Sequence, residues 1–241
     1  MGLFTKKTPH TAGEVDRSRL PRHIAVIMDG NGRWAANRGL PRSAGHKAGF
    51  DNFVRTVELC AGAGIGFLTV YAFSTENWNR SDDEVRALLR LMNEAITEYV
   101  PTLRERNIRL RILGDLSRFD SESRAGLESS VEALSGSTGM TLSVALSYGG
   151  RDEIVAAARQ AAAEGDITAE TLSAHLYTAG LPDPDLIIRT SGELRISNFL
   201  LWQSAYSEYY FTSTLWPDFG RKELCRALWD YSTRKRRFGR A

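Results

Sequence analysis

The sequence predicts an α/β fold, a single domain in which a mostly parallel, six-stranded central sheet is flanked by helices. Short apolar runs alternate along the chain with longer amphipathic stretches, and neither an internal repeat nor a long linker interrupts them. Such alternation is typical of βαβ units and a parallel sheet. The 241 residues, 42% hydrophobic and 25% charged, leave room for one large or two small globular domains. The unbroken alternation favours one.

The predicted strands are short apolar runs of the kind that a parallel sheet buries. In chain order they are "IAVIM" (24–28), "FLTVYAF" (67–73), "IRLRIL" (108–113), "TLSVALS" (141–147), "LIIRT" (186–190) and "YYFTS" (209–213). Helical stretches lie between and after them, at 44–63, 82–105, 121–134, 151–164, 168–178 and 220–236.

The remaining composition restricts the function classes. Residues 1–19 carry no apolar signal-peptide region, and we predict a flexible N-terminal tail. No apolar run approaches the ~20 residues that span a membrane. Cys60 and Cys225 lie far apart without a C-x-x-C motif, so neither a disulfide framework nor a cysteine zinc site is expected. These features favour a cytoplasmic protein, and the net charge of +2 gives no reason to expect a nucleic-acid partner.

Three predicted strands are followed by unusually polar segments. These segments are "MDGNGR" (28–33), "AFSTENWNR" (72–80) and "IRTSGELRIS" (188–197). Ligands of parallel α/β sheets bind outside the carboxyl ends of the strands. The sequence therefore predicts a ligand site made by these three segments.

The first segment fits G-x-G-x-x-A, the dinucleotide-binding fingerprint, at 30–35. That fold needs an acidic residue about 20 residues further on to hold a ribose. The first acid after the second strand is Glu76, 44 residues beyond Gly32, which argues against a dinucleotide site. Asp29, directly before the first glycine, would repel a phosphate unless Mg²⁺ bridged the two.

A metal-bound diphosphate fits this stretch better. Gly30 and Gly32 would let backbone amides approach the phosphate, and Arg33 would add a side-chain fork. The alternative interpretation is a glycine-rich turn with Asp29 as a helix cap. The other polar segments favour the ligand site, because arginine is the preferred bidentate partner of phosphate and several arginines lie at strand ends or nearby helix starts. They are Arg33, Arg42, Arg80, Arg189 and Arg195.

Five stretches, in this order, resemble the cis-prenyltransferases, in particular bacterial isoprenyl transferases of the undecaprenyl diphosphate synthase type. They are "HIAVIMDGNGRWA", "AGHKAG", "LTVYAFSTENWNR", "DLIIRTSGELRISNFLLWQSAYSEYYFT" and "WPDF". The resemblance runs from about Leu20 to the end, so residues 20–241 are expected to form the catalytic domain. All-α trans-prenyltransferases carry D-D-x-x-D motifs, which residues 82–86, "DDEVR", do not match.

The resemblance implies an activity. It is the sequential cis-condensation of isopentenyl diphosphate onto an allylic diphosphate, farnesyl or geranyl, with release of diphosphate. The expected product is a long-chain polyprenyl diphosphate such as undecaprenyl diphosphate, used as a cell-wall lipid carrier. Two alternatives stay open: a short-chain cis-prenyl diphosphate synthase, and a non-catalytic partner subunit of a heteromeric enzyme. A nucleotide-binding oxidoreductase is a further rival, disfavoured by the missing ribose acid.

The resemblance also implies residue roles. Asp29, Ser74 and Asn77 are the expected catalytic residues, with Mg²⁺ held by Asp29 and Glu208. The allylic diphosphate is expected at Gly30, Asn31, Gly32, Arg33, Arg42 and His46. Isopentenyl diphosphate is expected at Arg189, Arg195 and Ser197. The remaining expected substrate contacts are Trp34, Ser74, Thr75, Glu76, Trp78, Arg80 and Ile196.

Apolar residues in the 82–105 helix recur at helical spacing, which is typical of a core-facing stripe. The resemblance implies instead that part of this helix lines a hydrophobic tunnel for the growing chain, together with Ala72 and Met140. The apolar positions are Leu88, Leu89, Leu91, Met92, Ala95, Ile96, Tyr99 and Val100.

The basic C-terminal segment "RKRRFGR" (234–240) has two interpretations. It is either a solvated helix end that the helix dipole favours, or, by the resemblance, an Arg-x-Gly element at 237–239 that completes the site of a second subunit. The second interpretation predicts a homodimer, for which 198–203 and 209–211 offer apolar surface. Membrane contact is expected only through a lipid product.

Overall fold

The fold was analysed in a computed structural model that describes residues 17–236. Its core is one six-stranded sheet in which every neighbouring pair of strands is parallel. The strands are β1 (His23–Ile27), β2 (Phe67–Ser74), β3 (Arg109–Leu113), β4 (Thr141–Tyr148), β5 (Leu186–Arg189) and β6 (Glu208–Phe211).

Helices make most of the connections, as parallel strands require. They are α1 (Asn31–Ala36), α2 (Arg42–Ala63), α3 (Asp82–Glu105), α4 (Ser121–Ala133), α5 (Gly150–Glu164), α6 (Ala169–His175) and α7 (Arg221–Thr233). Short 3₁₀ turns lie at Arg17–Arg19, Thr75–Asn79 and Trp216–Asp218.

The strand order is β3-β4-β2-β1-β5-β6, which places β1 between β2 and β5. Strands β2, β3 and β4 lie on one side of β1, and β5 and β6 lie on its other side. The strand order therefore reverses at β1, and such switch points are where α/β sheets bind ligands. Because all strands run the same way, the sheet has one carboxyl end and one amino end.

The central strands are buried on both faces, which explains their continuous apolar sequence. All five residues of β1 are buried. Ile24 and Val26 belong to one core cluster, and Ala25 and Ile27 to a second on the opposite face. The first cluster includes side chains from four helices, namely Phe53 of α2, Leu103 of α3, Leu127 of α4 and Leu228 of α7.

The predicted fold class is confirmed, and every predicted strand and helix has a counterpart within a few residues. The sequence analysis missed α1, which spans only Asn31–Ala36 and is too short to show helical periodicity. The predicted 168–178 helix ends earlier, at His175, because Leu176 adopts an extended backbone. The final helix spans Arg221–Thr233 rather than 220–236.

Two terminal predictions fall mainly outside the described residues. The flexible tail at 1–19 overlaps them only at Arg17–Arg19, and the Arg-x-Gly element at 237–239 lies beyond them. The boundary of the catalytic domain at residue 20 stays a prediction. Among residues 17–236, no helix is long and apolar enough to cross a membrane.

Candidate active site

A cavity of about 420 Å³ opens at the carboxyl end of the sheet, beside the switch point at β1. Its polar lining comes from the segments after β1 and β2 and from the start of α2. Its apolar lining comes from the middle of the sheet, α2 and α3, including Val70, Val144, Phe53 and Ile96. The cavity therefore has charged groups at the strand ends and runs down one face of the sheet into an apolar space.

Asp29 and Arg189 meet at the polar end because β1 and β5 are neighbours, with Ile27 opposite Arg189. Arg189 is only 4% exposed. Its Nη2 donates to Asp29 Oδ2 at 2.9 Å, and its Nη1 donates to the Arg195 carbonyl at 2.6 Å and to Ser197 Oγ at 2.7 Å. Arg189 thus joins the segments that follow β1 and β5.

The carboxyl group of Asp29 is held ionised. Burial alone would raise its pKa, but hydrogen bonds from Arg189 and Ser191 and the charges of Arg189 and Arg33 outweigh burial, so the pKa is lowered. The result is a negative charge at the mouth of a cavity that otherwise carries several arginines.

The turn from β1 into α1 depends on Gly30. Its φ of +113° is a conformation that side chains rarely adopt. A Cβ here would also lie 3.0 Å from Leu215 Cδ2 and 3.1 Å from the Ser191 Cβ. Gly30 therefore lets α1 begin directly after Asp29, so that the first turn of α1 faces the cavity.

Arg33, in α1, bridges two carboxylates. Its Nη2 lies 3.5 Å from Asp29 Oδ2 and 3.3 Å from Glu193 Oε1, and its guanidinium donates to the carbonyl and hydroxyl of Ser191. The side chain is still 47% exposed. An anion entering the cavity could replace the carboxylates as its partner.

The "AGHKAG" stretch has a packing role. A Cβ at Gly45 would lie 2.1 Å from the Asn31 carbonyl oxygen, and one at Gly49 would lie 2.4 Å from Asn31 Oδ1. These two glycines, one helical turn apart on α2, therefore let the start of α1 approach closely. His46, between them in sequence, lines the cavity instead.

His46 has the properties of a neutral imidazole. Burial lowers its pKa, and the positive charges of Arg42 and Arg80 lower it further. Its Nε2 is buried without a hydrogen-bond partner, as is Asn31 Oδ1. Such atoms are costly to leave unpaired, and a ligand in the cavity would give His46 Nε2 a partner.

Arg42 and Arg80 share one carboxylate. Their Nη1 atoms lie 3.2 Å and 2.9 Å from Glu84 Oε1, in the first turn of α3. Both arginines line the cavity. Glu84 holds them side by side, so that two positive charges face the polar end from the α2 and α3 side.

Ser74 and Asn77 also line the cavity. The Ser74 N–H donates to Asn77 Oδ1 at 3.0 Å, which fixes the turn between β2 and the 3₁₀ turn after it. The Ser74 hydroxyl lies beside the Glu76 carboxylate and helps to lower its pKa, so Glu76 is a poor proton acceptor.

Several predicted substrate contacts do not line the cavity. Trp78 packs against Phe73 and donates to Ser147 Oγ at 3.0 Å. Trp34 donates to Asp218 Oδ1 at 2.8 Å, with the Arg38 guanidinium 4.2 Å from its ring centroid. The other predicted contacts outside the lining are Thr75, Glu76, Arg189, Arg195, Ile196 and Ser197.

Arg195 and Ser197 differ in their surroundings. Arg195 is 62% exposed and pairs with Glu193 at 2.6 Å. Ser197 accepts the hydrogen bond from Arg189 and has a left-handed backbone with φ +47°. Ile196 packs on the second core cluster, on the other face of the sheet.

The structure does not bring Glu208 to Asp29. Glu208 pairs with Leu186 in register, three residues before Arg189, so it lies roughly 10 Å toward the amino end of the sheet. Its carboxylate accepts from Arg234 Nη1 at 2.7 Å. Within one chain, therefore, the two expected metal ligands do not form a pair.

No cluster of three or more carboxylate, histidine or cysteine side chains suited to a metal is present among residues 17–236. Mg²⁺ does not need one, because it is commonly held by one or two carboxylates, several waters and the phosphates of a substrate. The ionised Asp29 at the mouth of an arginine-rich cavity fits that mode. A site built wholly from protein ligands does not fit.

The apolar lining agrees with part of the expected tunnel. Ala72, Leu88, Leu91, Met92 and Ile96 line the cavity. Met140, by contrast, is 6% exposed in the core and does not. The remaining predicted α3 positions that do not line it are Leu89, Ala95, Tyr99 and Val100.

The sequence analysis missed four side chains that shape the site. Glu84 and Glu193 pair with its arginines, Trp216 lines its wall, and Asn198 joins the surrounding loops. The sequence signals for these residues were weak. Glu84 resembles an ordinary acidic residue in the first turn of a helix. Glu193, Asn198 and Trp216 lie inside the quoted motifs, beside residues to which the resemblance assigned the roles.

The chain is similar over most of its length to proteins of one known family. A family described as "Putative undecaprenyl diphosphate synthase" matches residues 27–239. An isoprenyl transferase from Heliobacterium mobile is 51% identical over 234 residues, covering 94% of this chain and 90% of that protein. Another, from Neisseria meningitidis serogroup B, is 51% identical and covers 95% of this chain and 94% of its own length.

A solved structure has the same architecture. Lavandulyl diphosphate synthase from Lavandula x intermedia, crystallised with dimethylallyl diphosphate, superposes with a TM-score of 0.86 at 37% identity. The alignment covers 92% of this chain and 99% of that one.

Proposed function

The chain belongs to the undecaprenyl diphosphate synthase family of prenyltransferases, and from this premise we propose that it condenses isopentenyl diphosphate with an allylic diphosphate in the cavity at the carboxyl end of the sheet. It is an isoprenyl transferase; the substrates, the product and the residue roles that follow are the proposal.

One observation carries the proposal: a single cavity joins an arginine-rich mouth to an apolar interior. An allylic diphosphate has the matching shape, a dianionic or trianionic head on a hydrocarbon chain. Arginines offset the head's charge and stabilise the diphosphate as it leaves. Each CH₂ buried in the apolar part contributes about 0.8 kcal/mol.

The allylic head is proposed to bind at the start of α1. Residues 30–33 line the cavity at the start of α1, and the first N–H groups of a helix favour anions. Arg33, Arg42 and Arg80 add charge, and the unpartnered His46 Nε2 adds a polar contact.

Isopentenyl diphosphate is proposed to bind beside it, where Arg189, Arg195 and Ser197 converge after β5. Arg195 is exposed and paired only with the neighbouring Glu193, so it can turn toward a second diphosphate. Arg189 is already buried against Asp29, and it fixes the carboxylate and the 195–197 segment more than it reaches for substrate.

Asp29 is proposed to hold Mg²⁺ together with diphosphate oxygens and water. The ion would neutralise charge on the leaving diphosphate. The chain's own contribution is to keep Asp29 ionised and fixed, through Arg189, at the point where the diphosphate meets the protein. Glu208 could reach such a site only in another copy of the chain.

The proton lost from isopentenyl diphosphate has no conventional base nearby. We propose that a diphosphate oxygen accepts it and that Ser74 and Asn77 orient the reacting groups. Holding the two carbons in line then supplies much of the rate.

The product is proposed to be a long chain of undecaprenyl range with cis additions, serving as a cell-wall lipid carrier. A cavity of about 420 Å³ fits a drug-sized ligand. A longer chain has to displace side chains of α3, where Met92 is flexible enough to yield. A short product is the second candidate, favoured by the similarity to a synthase crystallised with dimethylallyl diphosphate.

A homodimer is also proposed. Arg234 and Arg236, near the end of the described residues, are held at the amino end of the sheet by Glu208 at 2.7 Å and Asp185 at 2.6 Å. That position lies at the opposite end from the chain's own cavity and on the side of the edge strand β6. We expect a dimer by light scattering, and deletion of 237–241 to harm turnover more than folding. A fully active monomer would refute this.

The activity is tested by incubating the protein with labelled isopentenyl diphosphate, farnesyl diphosphate and Mg²⁺ and separating the products by chain length. A ladder extending beyond two additions supports the proposal. A stop after one or two additions supports the short-chain candidate, and no incorporation supports the non-catalytic partner.

A further inference from the structure

Asn198 joins three loops at the carboxyl end of the sheet. Its carbonyl accepts from Gly150 N at 2.7 Å, and its Oδ1 accepts from Arg151 N at 2.9 Å. Its Nδ2 donates to Glu76 Oε1 at 2.9 Å. Every polar group of the side chain is thus used, and each contact lies more than 40 residues away in sequence.

The contacts to Gly150 and Arg151 cap α5. The residue at the N-cap is Gly149, which has no side chain to offer. No larger residue fits there, because a Cβ would lie 2.6 Å from Thr75 Oγ1 and 2.9 Å from Asn198 Nδ2. Asn198 therefore supplies from another loop the cap that helices usually carry in their own sequence.

The backbone at this point is held in an uncommon conformation. Ser197 and Asn198 have φ values of +47° and +63°, which asparagine tolerates better than serine. Such conformations persist where surrounding contacts determine them, and they concentrate at functional sites. Here the contacts of Asn198 fix the conformation, and the neighbouring Ser197 accepts the hydrogen bond of Arg189.

A continuous chain of contacts therefore runs from Glu76 to Asp29. It passes from Glu76 to Asn198, along the backbone to Ser197, through Arg189, and on to Asp29. Glu76 belongs to the loop that carries Ser74 and Asn77. The chain thus links the loop after β2 to the loops after β1 and β5.

We propose that Asn198 is a positioning residue that sets the distance between the two diphosphate sites. This inference rests on the proposed function, and it makes Glu76 a structural partner of Asn198 rather than a substrate contact. Position 198 requires an amide side chain, because its oxygen must accept from the Arg151 N–H of α5 while its nitrogen donates to the Glu76 carboxylate. Hydrogen bonds, that of Asn198 first, outweigh burial and lower the pKa of Glu76, which is therefore an ionised acceptor.

The test exchanges the hydrogen-bond donor and acceptor between residues 198 and 76. Asn198→Asp keeps the acceptor for α5 but places a carboxylate against Glu76. We expect turnover to fall by roughly 10²-fold, the cost of a misplacement of about 1 Å. The dissociation constant of each substrate alone should change far less. Adding Glu76→Gln restores a donor opposite the new carboxylate, and the N198D/E76Q double variant should recover most of the loss.

Asn107→Asp is the matched control. Asn107 is also left-handed, with φ +56°, and its Oδ1 and Nδ2 bridge to the backbone and hydroxyl of Thr138. It lies at the amino end of the sheet, before β3, and its partner is a hydroxyl that can donate to a carboxylate. N107D should therefore keep turnover.

The outcomes are distinct. Rescue by E76Q supports the proposal even if N198D alone fails to fold, since a swapped pair then restores both folding and turnover. An N198D protein with wild-type turnover, or a double variant no better than N198D, would overturn it. A wild-type protein that incorporates no isopentenyl diphosphate would instead refute the proposed function.

Discussion

The two ends of the sheet use polar residues in opposite ways. At the amino end, His23 is 1% exposed and both ring nitrogens have partners, the Pro182 carbonyl at 2.7 Å and Thr69 Oγ1 at 2.8 Å. Asp185 accepts from the backbone of Arg22 at 2.8 Å and pairs with Arg236 at 2.6 Å. These groups are used within the chain.

At the carboxyl end, several buried polar atoms have no partner. They are Asn31 Oδ1, His46 Nε2 and Arg189 Nε. Left-handed backbone also concentrates there: of the six described non-glycine residues with positive φ, Ser147 lies at the end of β4, and Ser191, Ser197, Asn198 and Leu200 follow β5. The comparison teaches that polarity alone does not identify a site. What distinguishes this end is that two residues with unsatisfied polar atoms, Asn31 and His46, line a cavity, whereas those of Asn52, Asn93, Tyr99, Arg124 and Gln203 do not.

Removal of Asp29 should have the largest effect on turnover. Asp29→Ala deletes the ionised group at the cavity mouth, and turnover should fall by roughly 10³-fold, as for loss of a central electrostatic contact. Steady-state kinetics with varied Mg²⁺ measure this. Asp120→Ala, which removes the cap of α4, is the control. It should lower stability slightly and leave turnover unchanged. Near-normal turnover of D29A with unchanged metal dependence would contradict the assigned role.

Arg195 should affect one substrate more than the other. Under the proposed function, its charged hydrogen bonds to a diphosphate would be worth about 1.5–3 kcal/mol. Arg195→Ala should therefore raise the KM for isopentenyl diphosphate by roughly 10- to 100-fold and that of the allylic substrate far less. kcat should fall as well if the contact tightens in the transition state. Equal effects on both KM values would show that Arg195 does not serve isopentenyl diphosphate.

A substitution in the apolar part of the cavity should change the product and spare the first condensation. Ala72 lines the cavity from β2, and Ala72→Leu adds bulk against a packed wall, at a typical cost of about 1–3 kcal/mol. Chromatography should show shorter chains. Met140→Leu, in the core away from the cavity, is the control. An unchanged product ladder in A72L would mean that the chain does not pass this residue.

Substitution of His23, at the amino end of the sheet, should have the smallest effect on turnover. Loss of His23 leaves Thr69 buried without its partner, and His23→Ala should lower the free energy of unfolding by about 1–3 kcal/mol. Turnover per folded molecule should not change. A large fall in kcat with normal stability would remove the distinction between the two ends.

The pH dependence of stability has a definite sign at His23. Burial lowers its pKa from the usual 6.5, so the folded protein favours the neutral ring. The stability that His23 contributes is present above pH 6.5 and is lost as the pH falls from that value through the lowered folded-state pKa. Denaturant titrations at several pH values should show this loss in the wild type and a smaller one in H23A.

The sequence predicted the strands and helices that leave a local pattern. It did not predict side-chain positions that depend on contacts between residues far apart in the chain. The strands were recognisable because a doubly buried sheet leaves continuous apolar runs, such as 24–28. The polar segments after β1 and β2 predicted the position of the cavity, whose lining includes no residue of the third segment, 188–197. Helix α1 was missed because six residues carry too little periodicity.

Side-chain placement was the weaker part. Trp34 and Trp78 adjoin the motifs in sequence, yet each has a partner elsewhere, Asp218 and Ser147. Glu208 carries a suitable carboxylate, yet the predicted strands already placed it before 209–213 and Asp29 after 24–28, at opposite ends of a parallel sheet, and the metal pair rested on the resemblance alone. The positions of these side chains depend on tertiary packing, which a single sequence does not encode in any local pattern.

The central claim is that the arginines and Asp29 at the carboxyl end bind two diphosphates for chain elongation. Incorporation of labelled isopentenyl diphosphate, primed by farnesyl diphosphate, tests it most directly when wild type, D29A and H23A are compared in parallel. The account predicts a product ladder from wild type and from folded H23A, and almost none from D29A. Equal ladders from all three proteins, or none from the wild type, would contradict it.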